Sequence, residues 1–259
     1  MMKLIHQYWK VVVIGFLMMW MVLIGNLLRL IFSGDTLRSV RNHLVQRLAR
    51  VALAVLGVQL KVEGEENWRS RQTYLAVSNH LSYLDILLFA SVRPLCFVST
   101  VEVKRTKILG RLTDAAGCVY IDRRSRENLA AEVGIISKAL KGGHSMIFFP
   151  EGTSTNGSSV LPFKRPLFAP AIEAGVPVLP AVLQPTEING EPVTAANRDR
   201  ICWYGDMEFA PHLLALAGLR SVKITLKLLP EIPVSAATSR EDLVQTAQSA
   251  ISKVFQPFP

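Results

Sequence analysis

From Val11 to Leu28 the chain reads VVVIGFLMMWMVLIGNLL, with no charged residue and only Asn26 strongly polar. That run is about as long as a helix needs to cross the hydrocarbon core of a bilayer, and it marks the N-terminus as a membrane segment. A cleaved leader is the competing reading, but such regions span only ~7–15 residues and end in a small-residue cleavage site. Here Arg29, Leu30, Ile31 and Phe32 follow, and no small-residue site is present. Arg29, Arg38, Arg41, Arg47 and Arg50 lie after the run, against Lys3 and Lys10 before it. The positive-inside bias therefore puts the C-terminal body in the cytoplasm, with the anchor in the cytoplasmic (inner) membrane.

A second segment, Val45 to Val58, carries Leu48, Val51, Ala52, Val55 and Leu56 on one helical side, with Arg47 and Arg50 near its start. It reads as an amphipathic interfacial helix or as a domain helix packed on the core. The two segments in tandem fit either a span plus a surface helix or a shallow hairpin in one leaflet. Residues 1–58 are thus read as membrane-anchoring helices and 59–259 as a separate domain.

The 259 residues carry a formal net charge of +9 on a chain that is half hydrophobic, which calls for an anionic partner. With an apolar N-terminus, phospholipid head groups fit and nucleic acid has only net charge behind it. Cys96, Cys118 and Cys202 are widely spaced and form no paired CxxC pattern. They indicate neither a disulfide framework nor a zinc site, and reduced thiols suit a cytoplasmic domain.

Short apolar strands then alternate with helical stretches. Strands are expected at Gln59–Glu63, Tyr74–Ser78, Cys96–Ser99, Cys118–Ile121, Ser145–Phe149, Val178–Val182 and Val222–Leu228. Arg126–Lys141 reads as a helix, with Leu129, Val133, Ile136 and Leu140 at helical spacing and Gly142-Gly143 as its stop. Thr186–Arg200 reads as a polar loop, and Ser239 as the cap of a final helix. The fold class is α/β, with a mixed, mainly parallel sheet, flanking helices, and an N-terminal membrane helix or helical hairpin.

Four segments carry chemistry. Asn79-His80-Leu81-Ser82-Tyr83-Leu84-Asp85 puts a histidine and a carboxylate where a buried strand turns into a helix. With Ser82 as N-cap, Tyr83 would be the first helical residue and Asp85 the third, so the free amides and helix dipole favour an anionic side chain there. An aspartate beside an imidazole fixes its tautomer and stabilises the imidazolium that forms when the ring takes a hydroxyl proton. Ser82 with Asp85 also resembles an ordinary capping pair, so the other segments must decide. Phe148-Phe149-Pro150-Glu151-Gly152-Thr153-Ser154 follows a strand, where α/β sheets bind ligands, and also reads as a plain turn. Tyr120-Ile121-Asp122-Arg123-Arg124 ends another strand with two guanidinium groups suited to phosphate. Gly175-Val176-Pro177-Val178-Leu179-Pro180 turns into a buried strand.

In this order, from Gln59 to Leu183, the four segments resemble the glycerolipid acyltransferase family typified by lysophosphatidate acyltransferase. The resemblance rests on His80 with Asp85, on Tyr120-Ile121-Asp122-Arg123, on Phe149-Pro150-Glu151-Gly152-Thr153 and on Val176-Pro177-Val178-Leu179-Pro180. It implies transfer of a fatty acyl group from acyl-CoA or acyl carrier protein to the free hydroxyl of a lysolipid, first of all 1-acyl-glycerol-3-phosphate to give phosphatidate. His80 would be the general base and Asp85 its orienting partner. Arg123 would hold the acceptor phosphate, and Glu151, Gly152 and Thr153 would shape the acceptor site. The Gly152 and Thr153 amides are candidate oxyanion donors, and no cofactor, metal or acyl-enzyme is implied.

One departure stands out: the family's third motif commonly continues Glu-Gly-Thr-Arg, whereas Ser154 stands here. Lys164 or Arg165 would then supply the missing charge, or the acceptor is not lysophosphatidate. The run from Glu151 to Gly157, Leu161-Pro162-Phe163-Lys164 and Trp203-Tyr204-Gly205-Asp206-Met207 look similar to a branch that includes lyso-ornithine lipid acyltransferases.

Rival classes fare worse. A serine hydrolase built on Gly143-His144-Ser145-Met146-Ile147 lacks the glycine that a nucleophile elbow needs at Ile147. A metallohydrolase has no His-Glu-x-x-His. A non-catalytic membrane lipid-binding protein explains the charge and the anchor but leaves His80 and Asp85 unused.

Overall fold

The computed structural model describes residues 2–122 and 129–259. The apolar run lies inside one long helix, α1 (Met2–Ile31), and the chain folds back at once into α2 (Gly34–Leu56). Gly57, at φ 77°, ends α2 in the left-handed conformation and sends its amide to the carbonyls of Leu53 and Ala54. The second apolar segment is therefore the C-terminal half of a longer helix, and Val58 already belongs to the first strand. Its polar N-terminal half hid the true start because two of its polar residues are buried. Arg41 donates to the Gly25 carbonyl at 2.8 Å, and Asn42 to the Cys96 sulfur at 3.2 Å.

Beyond α2 come β1 (Val58–Glu63), β2 (Leu75–Ser78), α3 (Leu84–Val92), β3 (Cys96–Thr100), α4 (Val101–Lys104), α5 (Leu109–Ala116) and β4 (Val119–Ile121). They are followed by α6 (Leu129–Lys141), β5 (Met146–Phe148), α7 (Ala169–Ala174), β6 (Val178–Ile188), β7 (Glu191–Pro192), α8 (Phe209–Ala217), β8 (Val222–Leu228) and α9 (Arg240–Val254). Residues 126–128 of the expected helix before Lys141 lie outside the described residues. The expected loop from Thr186 is corrected: β6 continues to Ile188 and a tight Asn189-Gly190 turn returns β7 against it. That turn takes positive φ at both residues, the hairpin geometry that Asn-Gly tolerates best.

The sheet runs β1-β8-β6-β2-β5-β3-β4, with β7 on β6. β6, β2, β5, β3 and β4 are parallel, whereas β8 is antiparallel to β6 and parallel to β1. The sheet is thus mixed and mainly parallel, as the sequence predicted. Every residue of β2 is buried, which explains its unbroken apolar run, while β8 alternates buried Val222, Ile224, Leu226 and Leu228 with more exposed residues. Fully buried Tyr74, Phe89, Phe148 and Phe168 anchor the core at roughly 1.5–3 kcal/mol each.

Helix α2 packs on α3 and α1, and Ala49, Ala52, Leu53 and Leu56 along it are buried. Helix α1 packs in turn on α2, α5 and α8. Polar ties hold α1 along its length: Gln7 donates to the Leu214 carbonyl, Lys10 to those of Leu56 and Leu219, and Arg29 pairs with Asp114 at 2.7 Å. The opposite side of α1 is exposed and apolar, with Trp9, Val12, Phe16, Met19, Leu23, Leu27 and Leu30 along it.

Candidate active site

The parallel strands β2 and β5 end at one edge of the sheet, and the site is built there. Asn79, the first residue beyond β2, makes a backbone-like pair with β6. Its Nδ2 donates to the Leu183 carbonyl at 3.0 Å and its Oδ1 accepts from the Leu183 amide at 2.8 Å. The chain leaving β2 is therefore held to β6 for one further step, and His80 emerges from a fixed point.

Asp85 lies in the first turn of α3 and turns back over the loop. Its Oδ2 accepts from the amides of Leu81 at 2.7 Å and Ser82 at 2.9 Å, and contacts His80 Nδ1 at 2.8 Å. The carboxylate is 3% exposed, so these bonds and the helix start compensate its desolvation. The expected cap is corrected by one residue: α3 begins at Leu84, which makes Asp85 its second residue. Ser82 still serves the first turn, with its hydroxyl accepting from the Leu84 amide at 3.3 Å and its carbonyl from the Asp85 amide at 3.1 Å. In the tautomer that this network selects, Nδ1–H donates to Asp85 and Nε2 keeps its lone pair.

The turn after β5 braces the histidine from the other side. Phe149 stacks on the imidazole with ring centroids 4.0 Å apart and planes 9° from parallel. Glu151 is 2% exposed and bridges two loops, its Oε1 accepting from the His80 amide and its Oε2 from the Leu161 amide, each at 2.8 Å. Burial pushes the Glu151 carboxyl up to about 6, against the pull of those two amides. Thr155 completes the brace, its amide donating to the His80 carbonyl at 2.9 Å. Sequence reasoning missed Phe149 and Thr155 as partners of His80, because nothing in the spacing announces a contact across two loops.

Gly152 takes φ 79°, and its amide donates to the Phe149 carbonyl at 3.0 Å. That bond corrects one expectation, since the Gly152 N–H is already used within the turn and is not aimed at an oxyanion. Thr153 is exposed on the same turn. The Lys164 side chain crosses this turn closely, and a Cβ built on Gly152 would meet its Nζ at 2.5 Å. Arg123 lies outside the described residues. β4, which leads to it, ends at the same edge as β2, three places away in the sheet.

A third segment, between β7 and α8, closes the site beside α3. The Trp203 amide donates to the Leu81 carbonyl at 2.8 Å, and the Tyr83 ring packs edge-on against Trp203, Phe209 and His212. Tyr83 Oη lies 2.9 Å from His212 Nδ1, whose Nε2 lies 3.0 Å from the Cys202 carbonyl. Burial lowers the pKa of His212, so a neutral ring donates to Cys202 and accepts from Tyr83. Tyr83 lies inside the His80–Asp85 motif, but its partner is 129 residues away, beyond the reach of pattern reading.

A histidine at the end of a buried parallel strand, aligned through Nδ1 by a buried aspartate, is an arrangement able to take a proton from a hydroxyl. The sequence profile of the acyltransferase family matches residues 59–184. A lyso-ornithine lipid O-acyltransferase from Rhodobacter capsulatus is 33% identical over 205 residues, covering 79% of this chain and 72% of that one. A 1-acyl-sn-glycerol-3-phosphate acyltransferase from Neisseria gonorrhoeae is 31% identical over 226 residues, 87% and 84% of the two chains. The crystal structure of the 1-acyl-sn-glycerophosphate acyltransferase PlsC from Thermotoga maritima shares the fold, with a TM-score of 0.66 over 97% of this chain and 92% of that one at 20% identity. This chain belongs to the acyltransferase family and is an acyltransferase.

Proposed function

We propose that the protein transfers a fatty acyl group from a soluble thioester, acyl-CoA or acyl carrier protein, to the free hydroxyl of a lysolipid at the membrane surface. The contact of 2.8 Å between His80 Nδ1 and a buried Asp85 carries the reading. Nε2 takes the acceptor hydroxyl proton as the oxygen attacks the thioester carbonyl, and Asp85 stabilises the imidazolium. The Thr153 amide donates to the tetrahedral oxyanion. When the intermediate collapses, the C–S bond breaks and the imidazolium returns the proton to the leaving sulfur, so no acyl-enzyme forms. Glu151 and Gly152 shape the acceptor side, and Arg123 and Lys164 hold its anionic head group.

The acceptor we favour is 1-acyl-glycerol-3-phosphate, giving phosphatidate. A second acceptor, lyso-ornithine lipid, is favoured by Ser154 in place of the arginine and by relatives of that name.

Residues 1–58 are read as the membrane anchor. The ties at Gln7 and Arg29 of α1 stand roughly 33 Å apart at 1.5 Å per residue, so the domain flanks α1 over a bilayer's thickness. That supports a helix lying in one leaflet, with its apolar outer side in the acyl chains and the domain on the cytoplasmic face.

The test is thioester consumption by membranes carrying the wild-type chain or His80→Ala, with each lysolipid offered and the acylated product identified by mass. Loss of about 10²-fold or more with His80→Ala is expected. Equal rates would remove His80 as the base, and absence of turnover with every lysolipid would remove the acceptor class.

A further inference from the structure

Between the C-terminal half of α1 and α5 lies a groove of about 680 Å³ that the chemistry at His80 does not use. Its walls are apolar, with Met18, Val22 and Leu27 on one side and Ile108 and Leu112 on the other. Lys107 and Arg111 stand at the groove, and both are exposed. They belong to a strongly basic stretch, Lys104-Arg105-Thr106-Lys107-Ile108-Leu109-Gly110-Arg111, with four cations and no carboxylate. Ile108 is 53% exposed between them, and the groove runs into the exposed apolar side of α1 at Met19, Leu23 and Leu30.

An apolar trough open to α1's outer side, with guanidinium and ammonium groups at its edge, matches an acyl chain joined to a phosphate. Charge complementarity selects an anionic lipid over a zwitterionic one, since phosphatidylcholine brings its own cation to the same place. An acidic protein would meet the same cations, but it leaves the apolar trough empty. Resting on the in-leaflet reading of α1, we propose that this groove seats one anionic glycerophospholipid, a chain lying between α1 and α5 and its phosphate between Lys107 and Arg111. The seated lipid is a resident of the membrane rather than the acceptor, and it would make membrane engagement selective for anionic leaflets.

The experiment is competition for the full-length protein in detergent, with equimolar phosphatidylglycerol and phosphatidylcholine of identical chains, read as the ratio of bound lipids by native mass spectrometry. The wild-type chain is expected to retain phosphatidylglycerol in excess. Lys107→Gln with Arg111→Gln should cut that excess by roughly 25-fold at low salt, about five-fold per cation. Val22→Trp, which fills the trough, should lower retention of both lipids together. An unchanged ratio in the double variant, or unchanged retention with Val22→Trp, overturns the proposal. An equal drop with Lys253→Gln, on α9 outside the groove, also overturns it, because the effect would then be net charge alone. If the double variant loses only binding to an acidic carrier protein, the patch belongs to that partner and the lipid seat is refuted. Sedimentation with neutral phosphatidylcholine vesicles separates the two failures. A chain that stays in solution refutes the in-leaflet reading, whereas one that sediments without lipid preference refutes the groove alone.

Discussion

Glu151→Gln probes how the site is held without touching the reacting atoms. In the native turn both carboxylate oxygens accept amides at 2.8 Å, from His80 and Leu161. A glutamine keeps one acceptor and turns an NH2 group toward the other amide. One charge-assisted bond is lost, about 1.5–3 kcal/mol, and one buried N–H is left unpaired, about 1–3 kcal/mol. Against this, the substitution removes a buried charge. The carboxyl sits at about 6 instead of 4.5, chiefly through burial, a difference worth about 2 kcal/mol. The net loss at pH 7.5 is about 0.5–4 kcal/mol.

The pH dependence follows from the direction of that shift. A carboxyl whose folded pKa is raised makes the native state bind its proton more tightly than the unfolded state does. Its ionisation therefore opposes stability above pH 6, and that cost falls away between about 6 and 4.5. Wild type regains about 1 kcal/mol from this group as pH falls to 5, and the full ~2 kcal/mol only near pH 4, whereas the glutamine variant gains nothing there. Urea unfolding at pH 7.5 and pH 5 should show the gap between the two proteins widening at the lower pH. Because the His80 amide loses its anchor, kcat for thioester consumption should fall about 10²-fold, the cost of a displacement near 1 Å. A gap that narrows at pH 5, or a variant with the wild-type kcat, would refute this account of Glu151.

Other expectations concern single contacts. Gly152→Ala forces a side chain into φ 79° and against Lys164, so it should lose about 1–2 kcal/mol or more in urea unfolding, whereas Gly190→Ala, with open space around it, should show the backbone cost alone. Tyr83→Phe leaves His212 Nδ1 without its 2.9 Å partner in a buried site and should destabilise by about 1–3 kcal/mol, with KM less affected than the unfolding midpoint. Arg123→Ala should raise the acceptor KM while donor KM holds, and unchanged acceptor kinetics would remove Arg123 from the site. Cys202 is fully buried and pushed up to about 12, so it should resist thiol reagents at pH 8 until the chain unfolds, as titration with a chromogenic disulfide would read.

The strands were legible because each buries a short run of β-prone residues, and β8 shows its half-exposure residue by residue. His80 and Asp85 were legible because the pair is local, five positions apart at a strand end. What escaped depends on distant partners. Asp85 reaches back to the Leu81 and Ser82 amides, so its helix could start one residue later than a Ser82 cap implies. α2 starts before its apolar stripe because Arg41 and Asn42 find buried acceptors on α1 and β3. The Trp203 segment became part of the site through one amide bonded to Leu81, a contact that neither periodicity nor motif contains.

The central claim is that His80 and Asp85 act as one catalytic unit, and a double-mutant cycle in kcat measures it most directly. His80→Ala, Asp85→Ala and the double variant would be assayed for thioester consumption with a saturating lysolipid acceptor. If Asp85 works only through the imidazole, each single variant loses about 10²-fold or more and the double variant is no slower than His80→Ala. Losses that multiply in the double variant, or a His80→Ala protein that turns over at the wild-type rate, would contradict it.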